Sequence, residues 1–145
     1  MSNQVCVDAS VAIEWLLPEK TDLVAEALRH EWNLMHTELV SSPLFNAEVT
    51  SSLRNQVYFK KILPEEGEIA FQLFLEMGIR TINHPSVTTM AWEMAKRFNL
   101  PRTYDLQYLA VAELIDCPLW TNDRKFINSL QNRVQRIKWV GDYGR

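Results

Sequence analysis

Glycine is scarce in this chain: there are 4 in 145 residues, beside 6 prolines. That excludes a collagen-like or low-complexity architecture. There is no Gly-rich loop carrying a Lys, which excludes a P-loop nucleotide site. Cysteine is limited to Cys6 and Cys117, with no CxxC pair, so a thiolate zinc site is not expected. Both have apolar neighbours beside expected strands. They read as buried thiols of a reducing cytoplasm, with a disulfide between neighbouring strands left open. No apolar run is long enough to span a bilayer, so no membrane association is expected. Met1-Ser2-Asn3-Gln4 has neither the basic segment nor the apolar core of a signal peptide. His30, His36 and His84 fall at no metal-ligand spacing and are expected to be structural. Charge of one sign is also lacking. Lys plus Arg is 15, Asp plus Glu is 18, and the formal net charge is −3. That argues against a general nucleic-acid coat but leaves room for a local basic patch.

What is present is apolar periodicity. Hydrophobic residues make up 47%, and the length suits one domain over 1–145. Residues 4–8 are almost continuously apolar and predict a buried parallel strand. A first helix is expected from Ser10, as its cap, to just before Pro18, and a second from Pro18 or Glu19 to Trp32. Residues 38–42 read as a strand, and Pro43 as the opening of a third helix. Small residues Ala47, Ser51 and Ser52 on that helix would let another element approach. A fourth helix runs from Pro64 to about Met77, with Ile69, Leu73 and Phe74 inward and Gly78 as its stop. Residues 79–82 read as a strand and 86–98 as a helix. Thr103 caps a largely apolar helix over 104–115. Residues 118–121 form a strand, 124–130 a short helix, and 134–140 a last strand. Strands alternating with helices predict an α/β fold: a mostly parallel central sheet of four or five strands, with helices on both faces. Ligands of such folds bind beyond the carboxyl ends of the strands.

Two acids stand at those ends. Asp8 follows Val5-Cys6-Val7, and Asp123 follows Leu119-Trp120-Thr121. An unpaired carboxylate is unfavourable there, so a cation or several donors should lie nearby. A helix cap explains either acid equally simply, and a buried salt bridge would also serve Asp8. Asp105 sits in the first turn of the 104–115 helix, where the macrodipole alone favours an acid. Glu48 lies in an amphipathic helix, where a lone Glu usually faces solvent. Glu14 is an ordinary helix position. Glu113 and Asp116 lie at the opposite end of their helix from Asp105. Basic residues are uneven, with Arg124, Lys125, Arg133, Arg136, Lys138 and Arg145 crowding the C-terminus.

Taken in order, Val7-Asp8-Ala9-Ser10, Phe45-Asn46-Ala47-Glu48-Val49, Thr103-Tyr104-Asp105-Leu106-Gln107-Tyr108 and Thr121-Asn122-Asp123-Arg124-Lys125-Phe126 resemble the four motifs of PIN domains. The resemblance is closest to the VapC-type toxin ribonucleases of toxin–antitoxin pairs, and it covers nearly the whole chain. Asn122 departs from it, standing where relatives often carry a small residue.

The resemblance implies a three-layer α/β/α PIN-like domain and a divalent-metal-dependent endoribonuclease. It places the catalytic and metal-binding acids at Asp8, Glu48, Asp105 and Asp123. Mg²⁺, or Mn²⁺, would be held by Asp8, Asp105 and Asp123, with Glu48 on a second ion or a water. Ser10 and Thr121 would support these acids through hydrogen bonds, and Arg124 and Lys125, beside Asp123, would either contact the phosphate backbone of the RNA or simply face solvent on a helix turn. A homodimer and a cognate antitoxin protein are the implied partners. Other readings stay open: an RNA-processing or DNA nuclease without a toxin role, or a non-catalytic interaction module. A haloacid-dehalogenase-type phosphatase would want an acid two positions after Asp8, where this chain has Ser10.

Overall fold

The computed structural model describes residues 3–17 and 23–144. Strand β1 (Gln4–Val7) has Val5, Cys6 and Val7 buried, as a strand covered on both faces requires. The other strands are β2 (Glu38–Ser41), β3 (Arg80–Thr81), β4 (Leu119–Thr121) and β5 (Ile137–Trp139). They form a five-stranded sheet in the order β3-β2-β1-β4-β5. Every pairing is parallel. Register sets Cys6 opposite Val40 on one side and Leu119 on the other, so β1 and β4 finish at the same edge.

Between the strands run α1 (Ala9–Leu16), α2 (Leu23–Leu34), α3 (Phe45–Tyr58), α4 (Pro64–Glu76), α5 (Pro85–Arg97), α6 (Tyr104–Ile115) and α7 (Arg124–Ser129). The result is a three-layer α/β/α fold. Helix α6 lies against β1, β2 and β4, with α5 packed upon it. Leu106, Leu109, Ala110, Val111 and Ala112 of α6 are all buried, which explains its apolar circumference. Helix α1 packs with α2, α3, α4 and β4. The Trp15 indole N–H donates to the Ala25 carbonyl at 3.0 Å and ties α1 to α2.

At the opposite edge of the sheet, Arg136 gathers the end of α6. It donates to the Cys117 carbonyl at 3.0 Å and to Asp116 at 3.0 Å, and pairs with Glu113 at 3.3 Å. Cys6 and Cys117 are both free and buried. Burial pushes the Cys117 thiol up to about 11, which keeps it unreactive at neutral pH.

Several expectations change. Helix α1 begins at Ala9 and its cap is Asp8, with Ser10 inside the first turn. The start of α2 expected at Pro18 or Glu19 lies outside the described residues. Pro43 precedes α3 by a short turn. Thr103 occupies the cap position of α6 without making the side-chain cap bond. Ile69 and Leu73, expected inward, are 62% and 46% exposed, and Phe74 is half-buried. The reason is that α4 meets its neighbours through Gly67 and Ala70, its buried residues. A Cβ at Gly67 would overlap a Val57 methyl on α3, so the helices approach at a position where only glycine fits. Ala47 and Ser51 face outward instead of admitting a neighbour. Among the described residues no helix is long and apolar enough to cross a membrane.

Candidate active site

Where β1 and β4 end, two helices begin, and each is capped by the acid in question. Asp8 Oδ1 accepts the Val11 N–H at 3.3 Å, and Asp123 Oδ1 accepts the Phe126 N–H at 3.2 Å. The simpler explanation of both acids is therefore correct as far as it goes. It does not account for the rest of the arrangement. A cap uses one carboxylate oxygen, and Asp8 has both engaged. Ser10 donates its hydroxyl to Oδ1 and Thr121 donates to Oδ2. The two hydroxyls then accept from the next turn of chain: Asn122 N–H reaches Ser10 Oγ at 2.8 Å, and Asp123 N–H reaches Thr121 Oγ1 at 3.0 Å. Asp8 is thus stitched to the β4–α7 junction through Ser10 and Thr121.

Asp8 is 7% exposed. Burial pushes its carboxyl up to about 6, against the lowering pull of Ser10, Thr121 and the Val11 amide, and the Asp105 charge adds to the rise. Asp105, in the first turn of α6, is exposed at the rim, yet its carboxyl is partly shielded. That shielding raises its pKa, and the charges of Asp123 and Glu48 raise it further. Glu48, in the first turn of α3, is half-buried and accepts the phenol of Tyr108.

All four acids line one cleft of about 470 Å³. With them stand Ser10, Glu14, Ser52, Gln56, Tyr108 and Asn122. Glu14, set aside above as ordinary, belongs to this lining. Tyr108, Ser52 and Gln56 were not anticipated, though spacing marks them: Tyr108 is one turn beyond Asp105, and Ser52 and Gln56 are one and two turns beyond Glu48. Arg124 and Lys125 are exposed and do not line the cleft. The Arg124 guanidinium instead stacks on Trp139, 4.4 Å from the ring centroid. Among the described residues, Glu38, Glu93, Glu113 and Asp116 take the ion pairs, and none of the four cleft acids is in one.

A sequence profile of the PIN domain matches residues 5–129. The chain belongs to the PIN-domain family. Its fold is also shared by solved structures. A toxin–antitoxin complex from Klebsiella pneumoniae superposes with a TM-score of 0.68 at 14% identity, covering 94% of this chain and 97% of that one. PAE2754 from Pyrobaculum aerophilum gives 0.63 at 18% identity, with 95% and 90% covered. VapBC2 from Rickettsia felis, bound to a DNA fragment from its promoter, gives 0.65 at 14% identity, with 94% and 96% covered. No curated protein sequence matches the chain. At these identities the structural likeness speaks for the fold alone.

For a PIN domain the donor chemistry of the cleft fits a hard cation: its lining offers carboxylates and hydroxyls, with no thiolate or imidazole, and among the described residues no basic side chain pairs with Asp8, Glu48, Asp105 or Asp123. The geometry is open. Among the described residues, no three His, Cys, Asp or Glu side chains form a group that would hold a metal ion as they stand. An ion such as Mg²⁺ retains several waters and needs only one or two direct carboxylates.

Proposed function

We propose that this PIN domain, taken as one unit over 1–145, is a divalent-metal-dependent endoribonuclease, the toxin of a toxin–antitoxin pair. The observation that carries this reading is the convergence of Asp8, Glu48, Asp105 and Asp123 on one cleft with no cation among the described residues to offset them. Like charges gathered this way are unfavourable alone and become favourable around Mg²⁺ or Mn²⁺.

Asp8, Asp105 and Asp123 would hold the ion, and Glu48 would orient the attacking water toward the phosphodiester. When bound, the ion supplies Lewis-acid stabilisation of the phosphoryl oxygens and a more acidic water. The chain's own work is positional. Ser10 and Thr121 fix both oxygens of Asp8, and the caps of α1 and α7 fix where Asp8 and Asp123 stand. Gln56, Ser52 and Asn122 offer neutral hydrogen-bonding groups to a bound strand without competing for the ion. By the resemblance to PIN-domain ribonucleases, hydrolysis would leave a 5′-phosphate and a 3′-hydroxyl.

The partners of this reading are an RNA substrate, a second copy of the chain and an antitoxin whose helix or extended segment covers the cleft. Two free buried thiols suit a cytoplasmic setting. The test is cleavage of a defined RNA by the purified protein with Mg²⁺, Mn²⁺ or chelator, with mapping of the new ends. Metal-dependent cuts leaving 5′-phosphates support it, and an RNA left intact under every condition refutes it. A non-catalytic interaction module is the second reading, favoured by the open spacing of the acids. It predicts no heat of Mn²⁺ binding and unchanged behaviour in Asp8→Asn.

A further inference from the structure

Glu48 has an unusual companion for an acid near a metal cleft. Its partner is the phenol of Tyr108, a residue 2% exposed that lines the cleft. The ring is fixed by its place on α6, where the Tyr108 carbonyl also accepts from the Cys6 thiol at 3.6 Å. Tyr108 is one turn beyond Asp105 on the same helix, so α6 both presents one carboxylate and grips another that belongs to α3.

The choice of a phenol has a chemical consequence. A Lys or Arg at this place would hold Glu48 by neutralising it, and would repel an incoming cation. A phenol holds by one O–H donation and brings no charge. It occupies Oε1 and leaves Oε2 without a partner among the described residues. A phenol keeps its proton at neutral pH, so Tyr108 is a donor there. We propose that Tyr108 is a positioning residue of the cleft, tethering Glu48 through an uncharged hydrogen bond so that its free oxygen faces the bound cation or its water. This rests on the nuclease reading above and assigns to that site a residue which touches neither ion nor substrate.

The experiment is a double-mutant cycle of Tyr108→Phe and Glu48→Gln, with two readouts: Mn²⁺ binding to the chelator-stripped protein by calorimetry, and RNA cleavage rate. Phe keeps the ring and removes only the hydroxyl, and thermal melting of each stripped variant checks that it is folded. Tyr108→Phe is expected to weaken Mn²⁺ binding or lower cleavage by about tenfold, in the range seen for residues that orient metal ligands. Added to Glu48→Gln it is expected to do little further, because the amide that the phenol still holds no longer brings a charge to the cation. Unchanged binding and cleavage in Tyr108→Phe, or losses that multiply in the double variant, overturn the tether. Wild-type protein that binds no Mn²⁺ and cuts no RNA overturns the nuclease reading itself, and the tether with it. The Glu48→Ala pair gives the same cycle should Glu48→Gln melt early.

Discussion

The Thr121 hydroxyl, at the end of β4, donates to Asp8 Oδ2, at the end of β1. Thr121 Oγ1 in turn accepts the Asp123 N–H at 3.0 Å. One small side chain therefore sets the spacing between the two strand-end acids. Thr121→Val keeps the shape and deletes both bonds. Cleavage is expected to fall about tenfold or more. Thr121→Ser, which restores the hydroxyl, should recover most of it. Equal activity of Val and Ser variants in the RNA assay would contradict the role given to this residue.

Asp8→Asn separates stability from chemistry. Asn caps a helix as well as Asp does, and it removes a buried charge. Cleavage should drop by about a hundredfold or more, equivalent to roughly 3 kcal/mol of barrier. The metal-free protein at pH 8 should be no less stable than wild type, and more stable by about 1–2 kcal/mol if the amide finds the Ser10 and Thr121 hydroxyls. Urea melts in chelator check this.

The pH dependence follows from the sign of the Asp8 shift. Its carboxyl goes from 3.8 to about 6 on folding, so the native state holds the proton more tightly than the unfolded chain. That contribution to stability is fully present below about 3.8 and is lost as pH rises through about 6. Asp105 is raised as well and acts in the same direction. In chelator, the contribution of these groups should fall between pH 4 and pH 7. Mn²⁺ affinity should climb over the same interval and level off above it, because the ion needs the ionised acid. A flat affinity from pH 5 to pH 8 would show that Asp8 is not a ligand.

Saturating Mg²⁺ or Mn²⁺ should raise the wild-type melting temperature. At a concentration about a hundred times the dissociation constant the gain is about 2.7 kcal/mol. Asp105→Asn should lose most of it. Differential scanning fluorimetry across a metal titration is sufficient.

Gly67→Ala tests the α3–α4 contact. In an exposed helix the change would stabilise by about 1 kcal/mol. Here the new methyl meets Val57, whose branched side chain cannot swing aside. A net loss of about 1–3 kcal/mol is expected, read from urea unfolding, with metal affinity intact because the contact lies away from the acids.

Much of this was legible in the chain because its strongest signals are local. Val5-Cys6-Val7 has no alternation and becomes a strand covered on both faces. The apolar circumference of 104–115 becomes the buried α6. Asp8 and Asp123 stand out at their strand ends, whereas Glu48 and Asp105 join them through the resemblance to the PIN motifs; all four line one cleft. What escaped notice depends on partners remote in sequence. Tyr108 reads as one more core aromatic until Glu48, 60 positions away, is seen to accept its hydroxyl. The stacking of Arg124 on Trp139, 15 positions away, has no local signal either. On α4 the large side chains drew attention inward, whereas contact is made by Gly67 and Ala70. Closeness of approach is not encoded in side-chain size on one helix; it is decided by what the facing helix presents.

Strand β4 is only Leu119–Thr121, about 10 Å of extended chain. A guanidinium grips its entrance at Cys117 and a hydroxyl pins its exit at Thr121. So short a tie rod has no slack, and a slip at the Arg136 anchor must reappear at Asp123. A half-buried arginine at the far end of the strand thereby shares with Thr121 in fixing where that acid stands.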